Sequence, residues 1–69
     1  MLKVKIHIKG LLDTCWIDWF NGLEMYHTET GETILEGVVA DTGAFYGIIA
    51  KINNLGLELL KAYVFEPDG

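Results

Sequence analysis

One cysteine, two histidines and ten carboxylates are the side chains of this chain best suited to chemistry. Cys15, His7 and His27 with a carboxylate are all metal-ligand types, but their spacing matches no Cys/His pattern, and a structural zinc site built on thiolates wants more than one. No metal is expected. A nucleophilic pair of Cys15 with a histidine would need an activated thiol. Cys15 falls in the first turn of a short helix, where the dipole would lower its pKa; it reads equally as a small buried hydrophobe. Paired carboxylates would have to meet in a pocket for acid–base work. Asp13 and Asp41 are accounted for as helix caps, and Glu24, Glu29, Glu32, Glu36, Glu58 and Glu66 fall on strands or turns where solvation accounts for them. Gly43 and Gly47 lie inside a helix rather than ahead of it, and no lysine follows at P-loop spacing, so there is no phosphate loop. Tyr46 is either a proton donor in an apolar pocket or a packed ring with its hydroxyl at the surface. No catalytic residue and no cofactor is assigned.

What remains is a set of contact residues. Trp16, Trp19 and Phe20 stand at i, i+3 and i+4 and gather most of the aromatic surface into one short segment. With Tyr46 they could hold a flat ligand or a partner's side chains, or simply cap the edge of a small core. Gly43, Gly47 and Ala50 leave one side of a helix almost bare. Glycine inside a helix costs about 1 kcal/mol against alanine, so Gly47 marks either close approach of another backbone or a tolerant surface site.

These residues must be positioned by elements whose pattern is legible. Leu2–Lys9 alternates strictly, with Val4, Ile6 and Ile8 on one face and Lys3, Lys5, His7 and Lys9 on the other, which predicts a half-buried strand. Its lysine face is either an anion site or a solvated face pairing with Glu36 on a neighbouring strand. Gly10 ends it. Asp13 then caps a barely two-turn helix over 14–20, with Gly22 as its stop. Two strands over 23–29 and 33–40 follow, joined as a hairpin across Thr30-Gly31-Glu32. In the second, Leu35, Gly37 and Val39 face one way and Ile34, Glu36 and Val38 the other.

The longest helix runs from an N-cap at Asp41 to a stop at Gly56. Phe45, Ile48, Ile49, Ile52 and Leu55 form its buried stripe. A final strand over 57–66 alternates Leu60, Ala62 and Val64 with Leu59, Lys61, Tyr63 and Phe65, leaving neither face polar, and 67–69 is a frayed end.

The order is strand, short helix, strand, strand, long helix, strand, which predicts one α+β domain over 1–69, a ferredoxin-like βαββαβ fold with a very short first helix. The alternative is a ββαβ half domain completed by dimerisation. Sixty-nine residues are near the size at which a chain can still bury enough of itself to fold alone. At 51% hydrophobic, the chain carries more apolar surface than one small core needs. The outer sheet face, with Ile34, Val38, Tyr63 and Phe65, or an edge strand is expected to be closed by a second copy.

Net charge is −5, with every cation a lysine, so the forked phosphate and guanine contacts of arginine are missing and nucleic acid is excluded as a partner. An anionic membrane surface is disfavoured for the same reason. The apolar runs are too short to span a bilayer and no leader pattern is present; a single cysteine rules out an internal disulfide. A cytoplasmic protein is expected.

Trp16-Ile-Asp-Trp-Phe-Asn-Gly22, the Gly31-Glu-Thr-Ile-Leu-Glu-Gly37 hairpin, and Asp41-x-x-Ala-Phe-Tyr-Gly-Ile-Ile followed by Leu55-Gly-Leu-Glu-Leu-Leu60 resemble a family of small uncharacterised prokaryotic proteins over nearly the whole chain. The resemblance supports the architecture and implies no activity. The function expected is therefore a non-enzymatic interaction or scaffold module acting as a homo-oligomer, a dimer foremost, with an accessory role beside a larger protein as a further option. The runner-up is a small-molecule-binding or enzymatic module with an aromatic-lined apolar pocket.

Overall fold

The computed structural model describes residues 1–13, 15, 16, 20 and 22–65. Its elements run β1 (Leu2–Lys9), β2 (Glu24–His27), β3 (Glu32–Val39), α1 (Thr42–Asn54) and β4 (Leu59–Phe65). The fold is α+β, a four-stranded sheet in the order β2-β3-β1-β4 with every neighbouring pair antiparallel. The βαββαβ order is not matched: the described elements are three strands, one helix and a strand. Between β1 and β2 the described residues Cys15, Trp16 and Phe20 have 3₁₀ geometry. Much of the expected first helix, Trp19 included, lies outside the described residues, as does the 67–69 end.

Register decides which side chains share a face. Val4 lies opposite Gly37 and Val64, Ile6 opposite Leu35 and Ala62, and Ile8 opposite Thr33 and Leu59. These make the inner face. On the outer face Lys3 lies between Val38 and Phe65, Lys5 between Glu36 and Tyr63, and His7 between Ile34 and Lys61. Alternation alone puts Leu59 with Lys61 on the outer face; the register shift opposite His7 and Ile8 inserts Leu60 as an extra residue and turns Leu59 inward.

The core is the inner face of β1 and β3 closed from above. Val4, Ile6, Ile8 and Leu35 are fully buried, and Leu12, Phe20 and Leu23 from the β1–β2 connection cover them together with Ile48 and Ile52 of α1. Phe45, Ile49 and Leu55 pack against this cluster while remaining half-buried. The helix starts where Asp41 Oδ1 accepts from the Ala44 N–H at 2.9 Å, satisfying one of the donors that a first turn leaves free. It stops where Gly56, at φ +74°, turns its N–H back onto the Asn53 carbonyl oxygen.

One buried polar side chain ties the crossover down. Thr33 is fully buried on β3; its hydroxyl donates to the Gly10 carbonyl and accepts from the Leu12 N–H, both at 2.8 Å. His27 Nε2 lies 2.7 Å from the Leu12 carbonyl oxygen and, facing an acceptor, must carry the proton there. The strand that follows β1 by a parallel crossover is thus held to the sheet before Leu12 enters the core.

Candidate functional site

The exposed apolar surface collects on the β4 side. Every residue of β4 is exposed, on both faces, although β4 is a seven-residue strand with a single charge, Lys61. The reason is the position of α1. The helix buries Ile48 and Ile52 against core residues of β1 and β3 and leaves a gap toward the start of β4, so Ala62 and Val64 on the inner side stay exposed.

Between α1 and the start of β4 lies a cavity of about 340 Å³, lined by Tyr46, Ile49, Ala50 and Asn53 of one helix stripe with Ile52, Leu57 and Leu59. Tyr46, Ile49, Ala50 and Asn53 recur at i, i+3, i+4 and i+7, a second helical face beside the core stripe. Its wall is apolar apart from the Asn53 amide and the Tyr46 hydroxyl. Such a volume falls at the small end of ligand pockets.

The expected contact residues divide. Tyr46 is 68% exposed and lines this cavity. Gly47 has open space where a Cβ would be. A Cβ at Gly43 would meet Asp41 Oδ1 at 3.3 Å, so the cap itself accounts for a small residue there. Phe20 is fully buried in the core and Trp16 is exposed, and neither lines the Tyr46 cavity. Trp19 lies outside the described residues. The aromatic cluster and Tyr46 are therefore not one site among the described residues.

The outer face is the other candidate. Tyr63 stacks on Phe65 with ring centroids 6.1 Å apart, and meets His7 edge-on at 6.0 Å. His7 Nδ1 sits 3.6 Å from Glu32, and Lys9 Nζ 4.0 Å from Glu58 at the rim. The Tyr26 hydroxyl donates to the Glu24 carboxylate, which pushes the phenol above its ordinary range, with partial desolvation adding to it. Alternation in the sequence suffices to find this face; no local signal tells that it stays open.

The titratable groups of the crossover give no catalytic arrangement. Cys15 is exposed, and its thiol is pushed up, first by desolvation and then by the Asp13 carboxylate beside it. This runs against the dipole expectation, because desolvation and then the Asp13 charge both disfavour the thiolate. Asp13 is itself held below the ordinary carboxylate range, chiefly by accepting the Cys15 N–H at 3.0 Å. Among the described residues no three His, Cys, Asp or Glu side chains gather as a metal site.

No described helix is long and apolar enough to cross a membrane. The molecule is a small α+β domain in which, among the described residues, the outer sheet face and the β4 edge are exposed. The chain belongs to the family described as Domain of unknown function (DUF8691), whose model matches residues 3–62. No curated protein and no solved structure matches it.

Proposed function

We propose that this protein is a non-enzymatic interaction module that works as a homo-oligomer, with a dimer joined along β4. The observation that carries it is β4 itself, an edge strand exposed over its whole length and carrying one charge. An open edge presents a row of unpaired backbone donors and acceptors, and natural sheets shorten, charge or cover such edges. The opposite edge, β2, is only four residues long, with Glu24 and His27 at its ends. β4 is longer, and its guards are Lys61 and the bulge at Leu60 alone.

A second copy is the occupant that fits. Antiparallel pairing about a two-fold at Ala62 sets Leu60 opposite Val64 and Lys61 opposite Tyr63. A two-fold at Lys61 would oppose two ammonium groups, and like charges directly across a pair are destabilising. Pairing at Ala62 also brings the Tyr46/Ile49/Ala50/Asn53 stripes of two helices toward one another over Ala62 and Val64, and open space at Gly47 leaves room for the approach. The strand order supports reading the fold as ferredoxin-like with its first helix reduced. The single cysteine and the resemblance support a cytoplasmic, prokaryotic setting.

Light scattering on an eluting column at tens of micromolar tests this. The wild type should run as an oligomer, and the double variant Leu60→Lys, Val64→Lys should lose the β4 joint while keeping a cooperative melt. A wild type that is a strict monomer at that concentration sinks the proposal.

The cavity beside Tyr46 favours a second reading, a binding site for a small uncharged, mainly apolar molecule. A thermal-shift and tryptophan-fluorescence screen tests it, and no response across a broad metabolite library counts against it.

A further inference from the structure

The outer sheet face has a division of charge that the β4 joint does not use. Its β2 and β3 half carries Glu24 and Glu36, and its β1 and β4 half carries Lys3, Lys5 and Lys61. Glu32 and Lys9, at one end, are already engaged by His7 and Glu58. No ion pair joins Lys3, Lys5 or Lys61 to a described carboxylate, although Lys5 lies opposite Glu36 in register. Between and around these charges are large exposed apolar groups: Val38 and Phe65 are about half exposed, and Tyr26 and Tyr63 nearly so. The face is thus acidic on its β2 and β3 half and basic on its β1 and β4 half, with exposed apolar groups interleaved among the charges of both halves.

The geometry points to a second copy of this chain as what covers that face, sheet against sheet. A surface split into an acidic and a basic half is complementary to itself, provided the symmetry axis exchanges the halves. A two-fold running parallel to the strands does so, laying Glu24 and Glu36 of one copy over Lys3, Lys5 and Lys61 of the other. A two-fold in the same plane but across the strands lays acid on acid. Charge therefore selects the two-fold that runs along the strands, and the aligned packing it gives, at about 30°, is a standard solution for stacked sheets. The Tyr63 and Phe65 rings then meet Val38, Ile34 and Tyr26 of the other copy.

The size of the face sets the strength. Four strands about 4.8 Å apart and up to eight residues long give a face of roughly 400–500 Å² in projection per copy. Twice that lies near or below the lower end of specific, stable interfaces. The association is accordingly weak and dependent on charge steering, so it weakens with salt as exposed pairs are screened. This inference does not rest on the β4 joint. With both joints the chain is a tetramer, and with the outer face alone it is a dimer.

Two charge-reversed variants test it. One makes the face mainly acidic (Lys3→Glu with Lys5→Glu), the other mainly basic (Glu24→Lys with Glu36→Lys). Each alone should lose at least tenfold in the association constant measured by sedimentation equilibrium, and an equimolar mixture should recover to within a few-fold of wild type. The Leu60→Lys, Val64→Lys variant should keep this association, which separates failure of the β4 joint from failure of the outer face. Should a charge-reversed variant fail to melt cooperatively, Tyr63→Thr replaces the test, because it leaves every charge in place and removes the stacked ring. It too should weaken association at least tenfold, and the wild type should dissociate further between 0.1 and 1 M salt, one to two orders of magnitude being the expected scale from near-complete screening. A variant that associates like wild type, or a mixture that does not recover, leaves the face to a different protein and overturns the inference.

Discussion

Replacing Thr33 by valine removes one oxygen and almost no volume, yet it should be among the more damaging single changes in this chain. The hydroxyl is the sole described partner of the Leu12 N–H and binds the Gly10 carbonyl oxygen as well. Valine leaves both without it. Leu12 is buried, so its N–H faces the full desolvation penalty, about 1–3 kcal/mol for a buried unsatisfied group. Gly10 is exposed, so water can partly replace what its carbonyl loses. Valine also favours a strand slightly over threonine, which returns a few tenths. The expected cost is about 2 kcal/mol.

For a domain of this size each kcal/mol moves the melting temperature by roughly 4–8 °C, so Thr33→Val should melt roughly 8–16 °C below wild type. Thr33→Ser is the control that separates the hydroxyl from the methyl. It keeps both hydrogen bonds and deletes one buried methyl, about 1 kcal/mol. Circular dichroism melts of the three proteins, with hydrogen exchange at the Leu12 amide, decide it. Valine melting as high as wild type, or serine costing more than valine, would refute the claim that this hydroxyl holds the crossover to the sheet. A Leu12 amide that exchanges no faster in the valine variant would refute it independently.

Gly37→Ala should cost about 1–2 kcal/mol by denaturant titration, since a Cβ there lies 2.7 Å from Leu23 Cδ2 and 3.3 Å from Leu23 Cα, and overpacking a core carries that order of penalty. Adding Leu23→Ala should relieve part of it, so that the double variant loses less than the sum of the singles. Tyr26 predicts a pH dependence: its folded pKa is raised, so its contribution is present below the ordinary phenol value of about 10 and is lost as pH climbs through the higher folded value. The stability difference between wild type and Tyr26→Phe should stay flat through neutral pH and shrink only in strong alkali; a difference that shrinks between pH 6 and 8 contradicts it. Asp13 has the opposite sign, its cap being present above the ordinary carboxylate range and lost as acid takes the pH through its depressed value. Asp13→Asn should therefore flatten the acid limb. Cys15 should alkylate more slowly at pH 8 than an unperturbed thiol, with Asp13→Asn speeding it, because the neighbouring carboxylate disfavours the thiolate.

The parts legible in the sequence are those that a single local signal determines. Strict alternation predicts β1 over Leu2–Lys9, the range observed, and Asp41 and Gly56 bracket the helix from side-chain chemistry alone. The glycine of the hairpin and the two faces of β3 follow in the same way. Leu59 is misassigned because a bulge is set by pairing with β1, which no alternation in β4 can reveal. Cys15 reads in the sequence as a dipole-lowered thiol or a small buried hydrophobe; it is exposed, with its thiol pushed up by desolvation and by Asp13, whose position beside it no spacing rule reveals. Thr33 and Gly37 are invisible for a related reason: each answers a residue more than a dozen positions away, Leu12 and Leu23, which only the closed sheet brings near.

The helix carries this reasoning furthest. Its five-residue apolar stripe reads as one buried face, but only Ile48 and Ile52 are buried, while Phe45, Ile49 and Leu55 are half covered. A helix centred over the sheet would bury all five. This one packs on core residues of β1 and β3 and leaves a gap toward β4, so Ile49 is only half covered and the inner face of β4 is exposed. The α1 stripe was expected to be core throughout, and the offset leaves part of it at the surface beside the exposed inner face of β4. Gly47, with nothing near its missing Cβ, stands on the same helix. A backbone left bare at about 1 kcal/mol in helix propensity has no cause among the described residues of this chain, and the β4 joint proposed above would give it one: Gly47→Leu should then weaken association while leaving the melt cooperative, and a variant that assembles like wild type makes Gly47 a tolerant surface position.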